Sequence, residues 1–478
     1  MRRRFTLLII LLMIASVSCT DRRYYQVSGY AQGGTYSVKY RGASARPEKV
    51  QALTDSLLRE IDFTLSGYNK NSLLSRLNRG DTVVLSPMFA EIYRLSYEMW
   101  LLSGGAFDVS CGPLFDIWGF GFTSGSMPSD SDIARVLASC GMSRLVTPDV
   151  VDSLVAAGVS ITSLDLLVTP LQPQGTVERS SLSPQGTVGS TSLNPQGTVE
   201  RTPQPPCVSD VPSSIILNFN AIAQGYSCDL VYGMLRGLGV TDMLVDIGEI
   251  RCCGLNPLGK GWSIGIDNPV DGNDKPGEDI RKVWTSDGGD RGVVTSGNYR
   301  KFYVRDGRKY SHTIDPRTGR PVEHNLLSAT VIVPGDVAWN SSGVSYTQSS
   351  PRESSGVSNP QNSSRGSSGV SNTQSSSGES SDVSNPQNSS RESSGVSYTQ
   401  NSSRGSSGVS YTQNSSRGSS GVSYTQSFPG ESLLAAAEAD ALATVFMVIG
   451  FDASRDFLAA HPDLEAYLIT SDSIWSSR

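Results

Sequence analysis

Seven copies of one short pattern set the strongest limit on what this chain can fold into. Ser-Ser-Gly-Val-Ser begins at Ser341, Ser354, Ser367, Ser380 (with Asp382 in place of the Gly), Ser393, Ser406 and Ser419, at a constant interval of 13. A second unit, Pro173-Gln174-Gly175-Thr176-Val177, returns at Pro184 and Pro195, at an interval of 11. Repeats of this length build solenoids only where apolar positions stack copy on copy. Each longer unit offers one Val and at most one Tyr, too little to offset the cost of ordering its residues. Both arrays are therefore expected to be disordered insertions. A glycan-bearing or brush-like role for the Ser/Thr-rich array is the alternative.

The stretches around the arrays are too short to fold alone, so they read as one interrupted unit. The expected division is a signal segment at 1–19, folded parts at 24–168, 213–337 and 431–472, and insertions at 170–212 and 338–430. Apolar residues at three- and four-residue spacing predict helices over Pro47 to Leu65 and Met88 to Leu102. Further helices are expected over Gly225 to Leu238 and Leu433 to Ile449. Strands are expected over Tyr36 to Tyr40, Met243 to Ile247, Trp262 to Ile266 and Leu464 to Ile469. Tyr299 to Arg305 and Lys309 to Ile314 flank Asp306-Gly307, a tight-turn signal for a hairpin. The fold class is α+β with a mixed sheet.

Arg2, Arg3 and Arg4 precede an apolar run from Phe5 to Val17, shorter than the roughly 20 residues a spanning helix needs. This reads as a secretory signal. Ser16-Val17-Ser18-Cys19 resembles a bacterial lipoprotein box without its usual Leu, which makes Cys19 the expected lipidation site. An ordinary secretory signal is the alternative. The protein is thus expected to be exported and lipid-anchored to a bacterial membrane, on the periplasmic side or in the cell envelope. A formal net charge of −6 without a basic stripe argues against a nucleic-acid partner. The seven cysteines contain no C-x-x-C pair, so neither a zinc site nor a thioredoxin-like pair is supported. In an oxidising compartment some of them can pair, with the connectivity left open.

The densest chemical signal runs from Tyr310 through His312 and Asp315-Pro316-Arg317-Thr318-Gly319 to Pro321. A strand ending at Asp315 and a tight turn place an imidazole and a carboxylate where binding residues often sit. A well-formed turn with a satisfied histidine is the alternative. Asp440 and Thr444 are four apart on a predicted helix, so their oxygens face the same way. A carboxylate and a hydroxyl are hard ligands that suit Mg²⁺. Thr444 bonding back to the carbonyl of Asp440 is the competing reading.

Six blocks, in order, resemble the ApbE family of flavin transferases. They are Gly34-Thr35-Tyr36; Leu65-Ser66-Gly67-Tyr68 with Ser72 and Asn78; and Gly105 to Ser110 with Gly112-Pro113-Leu114 and Trp118 to Gly121. Asn220 to Tyr226 with Asp229 follows, then Thr295 to Tyr299 leading into the His312 block, and finally Glu438 to Thr444. Together they cover nearly all of the chain outside the signal and the arrays.

The resemblance implies a single T-fold-like domain that uses Mg²⁺ and takes FAD as a substrate. It implies a metal site built from the carbonyl of Ala221 with Asp440 and Thr444. It places FAD contacts at Gly34, Thr35, Ser72, Leu74, Ser75, Asp108, Gln224 and His312, with helix capping as the alternative for Asp108 and Gln224. His312 and Asp315 become the catalytic candidates, His312 for its ordinary pKa of about 6.5. His324 and His461 lie outside the blocks and are expected at the surface. The implied reaction moves FMN from FAD to a Ser or Thr hydroxyl of another protein and releases AMP. The implied acceptor carries a motif like Asp-x-x-Ser/Thr-Gly/Ala-Ala/Thr, by analogy on a subunit of a membrane redox pump. No G-x-G-x-x-G opens a helix after a strand, so Rossmann-type flavin binding is not indicated.

Three features depart from the family pattern. Asn218 stands where Asp is usual, Asp246-Ile247-Gly248-Glu249 is one Gly short, and the long array precedes the Asp440 helix. Doubling a flexible loop costs only about 0.6 kcal/mol, so the metal site is expected to survive the array. Two rivals accompany this reading: a Mg²⁺-dependent FAD pyrophosphatase, and a flavin-binding lipoprotein with a degenerate site. A repeat-bearing adhesin is disfavoured, because the repeats lack apolar positions.

Overall fold

The computed structural model describes residues 23–42, 45–121, 127–165, 215–273, 275–305, 307–335, 395–403, 406–414, 423–425 and 434–478. The signal segment with Cys19, the 170–212 insertion, Asp306 and most of the 13-residue array lie outside the described residues.

One eight-stranded sheet organises the protein. Its strands are β1 (Tyr24–Ala31), β2 (Gly34–Arg41), β3 (Met243–Asp246), β4 (Ile250–Cys253), β5 (Arg291–Gly297), β6 (Leu326–Pro334), β7 (Glu465–Thr470) and β8 (Ile474–Ser476), adjacent in space in the order they occur in the chain. Every ladder between them is antiparallel. The expectation of a mixed sheet is therefore corrected. Between β2 and β3 the chain builds a whole helical layer and re-enters the sheet at the end it left, with Met243 opposite Tyr40.

That layer includes α1 (Pro47–Leu65), α2 (Leu73–Asn78), α3 (Pro87–Leu102), α4 (Gly112–Ile117), α5 (Asp130–Leu137), α6 (Pro148–Ala157) and α7 (Ala223–Gly237). After the array come α8 (Ala435–Ile449) and α9 (Phe451–Ala460). Starts follow the usual local chemistry: proline in the first turn of α1 and α3, a Ser86 cap on α3, and a Ser129–Asp132 capping box on α5.

Period-two alternation divides the strands between two cores. Met243, Val245, Val294, Val331 and Val333 face the helices. Their neighbours Leu244, Val293 and Ile332 face the other way, under Trp262, Ile264, Ile266 and Trp284 of a hairpin formed by Ser263–Asp267 and Ile280–Thr285. Helix α8 is largely apolar because most of its surface is enclosed, with Ala435, Ala436, Ala439 and Ala443 fully buried and Asp440 and Thr444 turned to the cleft. Two glycines admit it. A Cβ at Gly225 or at Gly292 would lie 2.3 Å from the carbonyl oxygen of Ala436 or Ala435 respectively.

The hairpin expected around Gly307 is present as Phe302–Arg305 paired with Arg308–Ser311, with Gly307 at φ +75°. Within the array, Gly395–Ser403, Ser406–Asn414 and Ser423–Thr425 form an antiparallel meander in which Tyr398 opposes Tyr411 and Tyr411 opposes Tyr424. That backbone pairing differs from the expectation of an array without structure. Successive copies of one polar sequence can pair with each other without needing a buried face. Among the described residues no helix is long and apolar enough to cross a membrane.

Candidate active site

A cleft of about 800 Å³ opens between α7, α8, the 106–121 segment and the turn after the His312 hairpin. It gathers Ser75, Asp108, Ala221, Gln224, His312, Asp440 and Thr444 from the residues singled out in the sequence. Gly34, Thr35, Ser72, Leu74 and Asp315 are not among its lining residues. Gly34 and Thr35 open β2 opposite Ala31 and Tyr30. Ser72 caps α2, accepting from the Ser75 N–H at 2.9 Å, and Leu74 belongs to the core. Asp315 closes its own turn, accepting from the Arg317 backbone N–H and guanidinium at 2.9 Å. Its partners are structural, whereas the neighbouring Ile314 and Pro316 reach the cleft.

The floor is built by side-chain-to-backbone bonds. Asn78 brackets Leu217, donating to its carbonyl at 2.8 Å and accepting from its N–H at 2.9 Å. Asn218 donates its N–H to Val109 O at 2.7 Å, and its amide oxygen accepts from the Asn220 N–H at 2.9 Å. The Asn at 218 therefore preserves the turn that presents Ala221. Gly225 N–H, in the first turn of α7, donates to Asp440 at 3.1 Å and joins the two helices across the cleft.

Asp440 does not stand alone. Glu249, at the mouth of the β3–β4 turn, also lines the cleft and accepts weakly from the Thr295 N–H at 3.4 Å. Burial raises both carboxyls above the ordinary range, Glu249 further because Asp440 is beside it. The sequence reading passed over Glu249, noting its segment only for a missing glycine; a carboxylate at the tip of a strand turn was the signal available. Two crowded carboxylates with the Thr444 hydroxyl and the Ala221 carbonyl form a hard oxygen set that a divalent cation would relieve. No three His, Cys, Asp or Glu side chains gather to hold an ion among the described residues. Backbone, hydroxyl and ligand oxygens would have to complete such a site.

His312 also lines the cleft, against the edge of Phe120 (ring centroids 6.4 Å apart). Phe120, Tyr303, Tyr310 and Trp118 continue as a stack at 5.2, 5.3 and 5.9 Å. His312 Nδ1 lies 3.1 Å from the Lys301 carbonyl. Only an N–H can bond a carbonyl, so Nδ1 carries the hydrogen and Nε2 is the open acceptor. Burial, with a smaller contribution from Lys301, lowers its pKa to about 4. The expected unperturbed value is corrected: the ring is neutral at pH 7. His324 bonds the Met447 carbonyl at 2.9 Å and His461 stacks on Phe457, so neither is a free surface residue.

Asp108 accepts from Ser110 N–H at 2.8 Å, Ser110 Oγ at 2.5 Å and Met142 N–H at 3.1 Å. It thus knits two loops while lining the cleft. Gln224 lies in the first turn of α7 with its amide against Gly248.

A model of the ApbE family matches residues 32–166 and 186–344. A protein of Vibrio cholerae named FAD:protein FMN transferase is 31% identical over 315 residues, 64% of this chain and 75% of its own length. One of the same name from Escherichia coli is 28% identical over 295 residues, 60% of this chain and 66% of its own. The fold is that of the flavin transferase ApbE from Vibrio cholerae (TM-score 0.54, 21% identity, 95% of this chain and 96% of that one). The apo flavinyl transferase ApbE from Pseudomonas stutzeri gives a TM-score of 0.55 at 22% identity, over 95% and 94%.

Proposed function

The chain belongs to the ApbE family, and we propose that it is an FAD:protein FMN transferase acting on a Ser or Thr hydroxyl of another protein. One observation carries this reading: the crowded Asp440–Glu249 end and the neutral His312 share a single cleft with Asp108. That arrangement suits a diphosphate bound between a cation site and a proton acceptor.

Ala221, Asp440 and Thr444, with Glu249 beside them, are the residues that would hold Mg²⁺, which would supply charge neutralisation for the diphosphate of FAD. This chain's residues do the rest. Asp108 and Ser75 line the side of the cleft, and Gln224 presents its amide in the first turn of α7. The acceptor hydroxyl attacks the phosphorus on the FMN side, its proton passes to His312 Nε2, and the bond from that phosphorus to the bridging oxygen breaks. FMN becomes a phosphoester of the acceptor, and AMP leaves with the bridging oxygen. The enzyme needs no nucleophile, since positioning and charge provide most of the rate.

The reading extends to an acceptor carrying an Asp-x-x-Ser/Thr-Gly/Ala-Ala/Thr-like motif on a membrane redox-pump subunit. It also includes export with a lipid on Cys19. The acceptor reading rests on analogy with the family, and the lipid reading on the segment that ends at Cys19. The test is incubation of the full chain with FAD, Mg²⁺ and a peptide bearing the motif, read by mass spectrometry. An FMN-modified peptide with equimolar AMP is expected. Free FMN and AMP beside unmodified peptide would mean that water is the acceptor and the enzyme is a pyrophosphatase. Bound but uncleaved FAD would reduce the protein to a flavin binder.

A further inference from the structure

We propose that Cys111 and Cys140 are a disulfide-forming pair that clamps the Asp108 wall of the cleft. The two thiols lie close enough to influence each other's ionisation, and Cys140 Sγ donates to the Val136 carbonyl at 3.4 Å. Both are buried, in a satellite cluster with Leu114, Trp118, Ile133 and Val136. They come from segments 29 positions apart in the sequence, yet the main chain beside them is already joined. Gly141 N–H donates to Ser110 Oγ at 2.6 Å, and Met142 N–H donates to Asp108 at 3.1 Å. The residue before Cys111 thus bonds the residue after Cys140. Two thiols of one buried cluster on segments tied in this way can close to a bond with little movement, which is what disulfide geometry demands.

Two other buried thiols lie in the main core rather than in this satellite cluster. Cys228 turns to the Glu249 carbonyl and Cys253 to the Thr241 carbonyl. Both are spoken for by backbone acceptors in the main core.

The chemistry balances as thiol–disulfide exchange. Each thiol gives up its proton, and the pair gives up two electrons as the sulfur–sulfur bond forms. The electrons and protons pass to an external disulfide, either oxidised glutathione or the disulfide of a dithiol oxidase, which leaves as two thiols. An oxidising compartment is where such a bond would persist, so the setting rests on export. The pairing itself is independent of the flavin-transfer reading. Closure would fix Ser110 and Asp108 against the 139–142 loop, stiffening one side of the cleft.

The full chain would be equilibrated in glutathione buffers from fully reduced to fully oxidised. It would then be acid-quenched, alkylated in denaturant and mapped by mass spectrometry without reduction. The expected result is a Cys111–Cys140 linked peptide that dominates in the oxidised buffers. The melting temperature of the oxidised protein should exceed that of the reduced form by roughly 5–10 °C. Cys140→Ser should show neither the link nor the shift. Alkyl or glutathione adducts on both cysteines throughout the series, or a link from either to another cysteine, would overturn the pairing whatever the variant does.

Discussion

Arg251 donates to Asp229 at 2.7 Å at a point where their side chains are 2% and 0% exposed. The same guanidinium holds Asp290 through two bonds at 3.0 and 2.8 Å. Asp229 in turn accepts from the Ala436 and Ala437 N–H groups at 3.0 and 2.8 Å. These are orphan donors at the start of α8, the helix that carries Asp440 and Thr444 one and two turns on. A strand, two helices and one end of the cleft are therefore tied by a single buried cation.

Removing that cation leaves two buried carboxylates without a counter-charge. Arg251→Met should destabilise the protein by about 3–5 kcal/mol in denaturant unfolding, because breaking a buried pair costs more than the pair contributes. A loss below about 1 kcal/mol would show that water or a relaxed backbone replaces the guanidinium.

Asp440→Asn keeps an oxygen for the Gly225 N–H but removes the charge. FAD cleavage should fall about 10³-fold, the equivalent of roughly 4 kcal/mol of charge stabilisation. The melting temperature should hold or rise, since a carboxylate crowded against Glu249 is gone. A fall in both readouts would assign Asp440 a structural role instead.

Gly225→Ala reverses the usual rule. Alanine in a helix normally gains up to about 1 kcal/mol over glycine, but here its Cβ would sit 2.3 Å from the Ala436 carbonyl oxygen. Forcing α7 and α8 apart should cost about 1–3 kcal/mol. It should also lower activity by separating Ala221 and Gln224 from Asp440. Unfolding curves and FAD turnover on the same preparation check both.

The His312 pKa of about 4 predicts a low acid limit. The neutral ring is the proton acceptor, so activity is lost as pH falls through about 4. At saturating Mg²⁺, which would keep Asp440 (otherwise raised to about 7) and Glu249 ionised, kcat/KM should stay flat from pH 8 to about 5. Stability follows the same sign. The folded state binds the proton less readily than the unfolded chain, whose value is 6.5, so the histidine weakens folding as pH drops through that window. A kcat/KM limb centred near 6.5 would mean that another group titrates, or that the ring is solvated during turnover.

Much of this was legible in the chain. Pro47–Leu65 appeared as a helix with its bounds intact, because an apolar stripe at helical spacing and a first-turn proline act locally. Five of the six motif blocks also pointed to the cleft, and Asp108, Ala221, Gln224, His312, Asp440 and Thr444 meet there. Asp315 and Leu74 were named by the same motifs yet serve a turn and the core. A linear pattern marks where a segment is specialised, without saying which of its side chains turn toward a ligand.

What the sequence determined by itself was the folded unit, the helices and the list of residues to inspect, since periodicity, turn chemistry and composition are properties of neighbours along the chain. The tertiary structure alone decided the antiparallel order of the sheet, the closeness of Glu249 to Asp440, the depressed His312 and the gathering of Cys111 and Cys140 in one buried cluster. Each depends on distances between segments remote in sequence and on the water they exclude. Burial and through-space charge cannot be read from spacing.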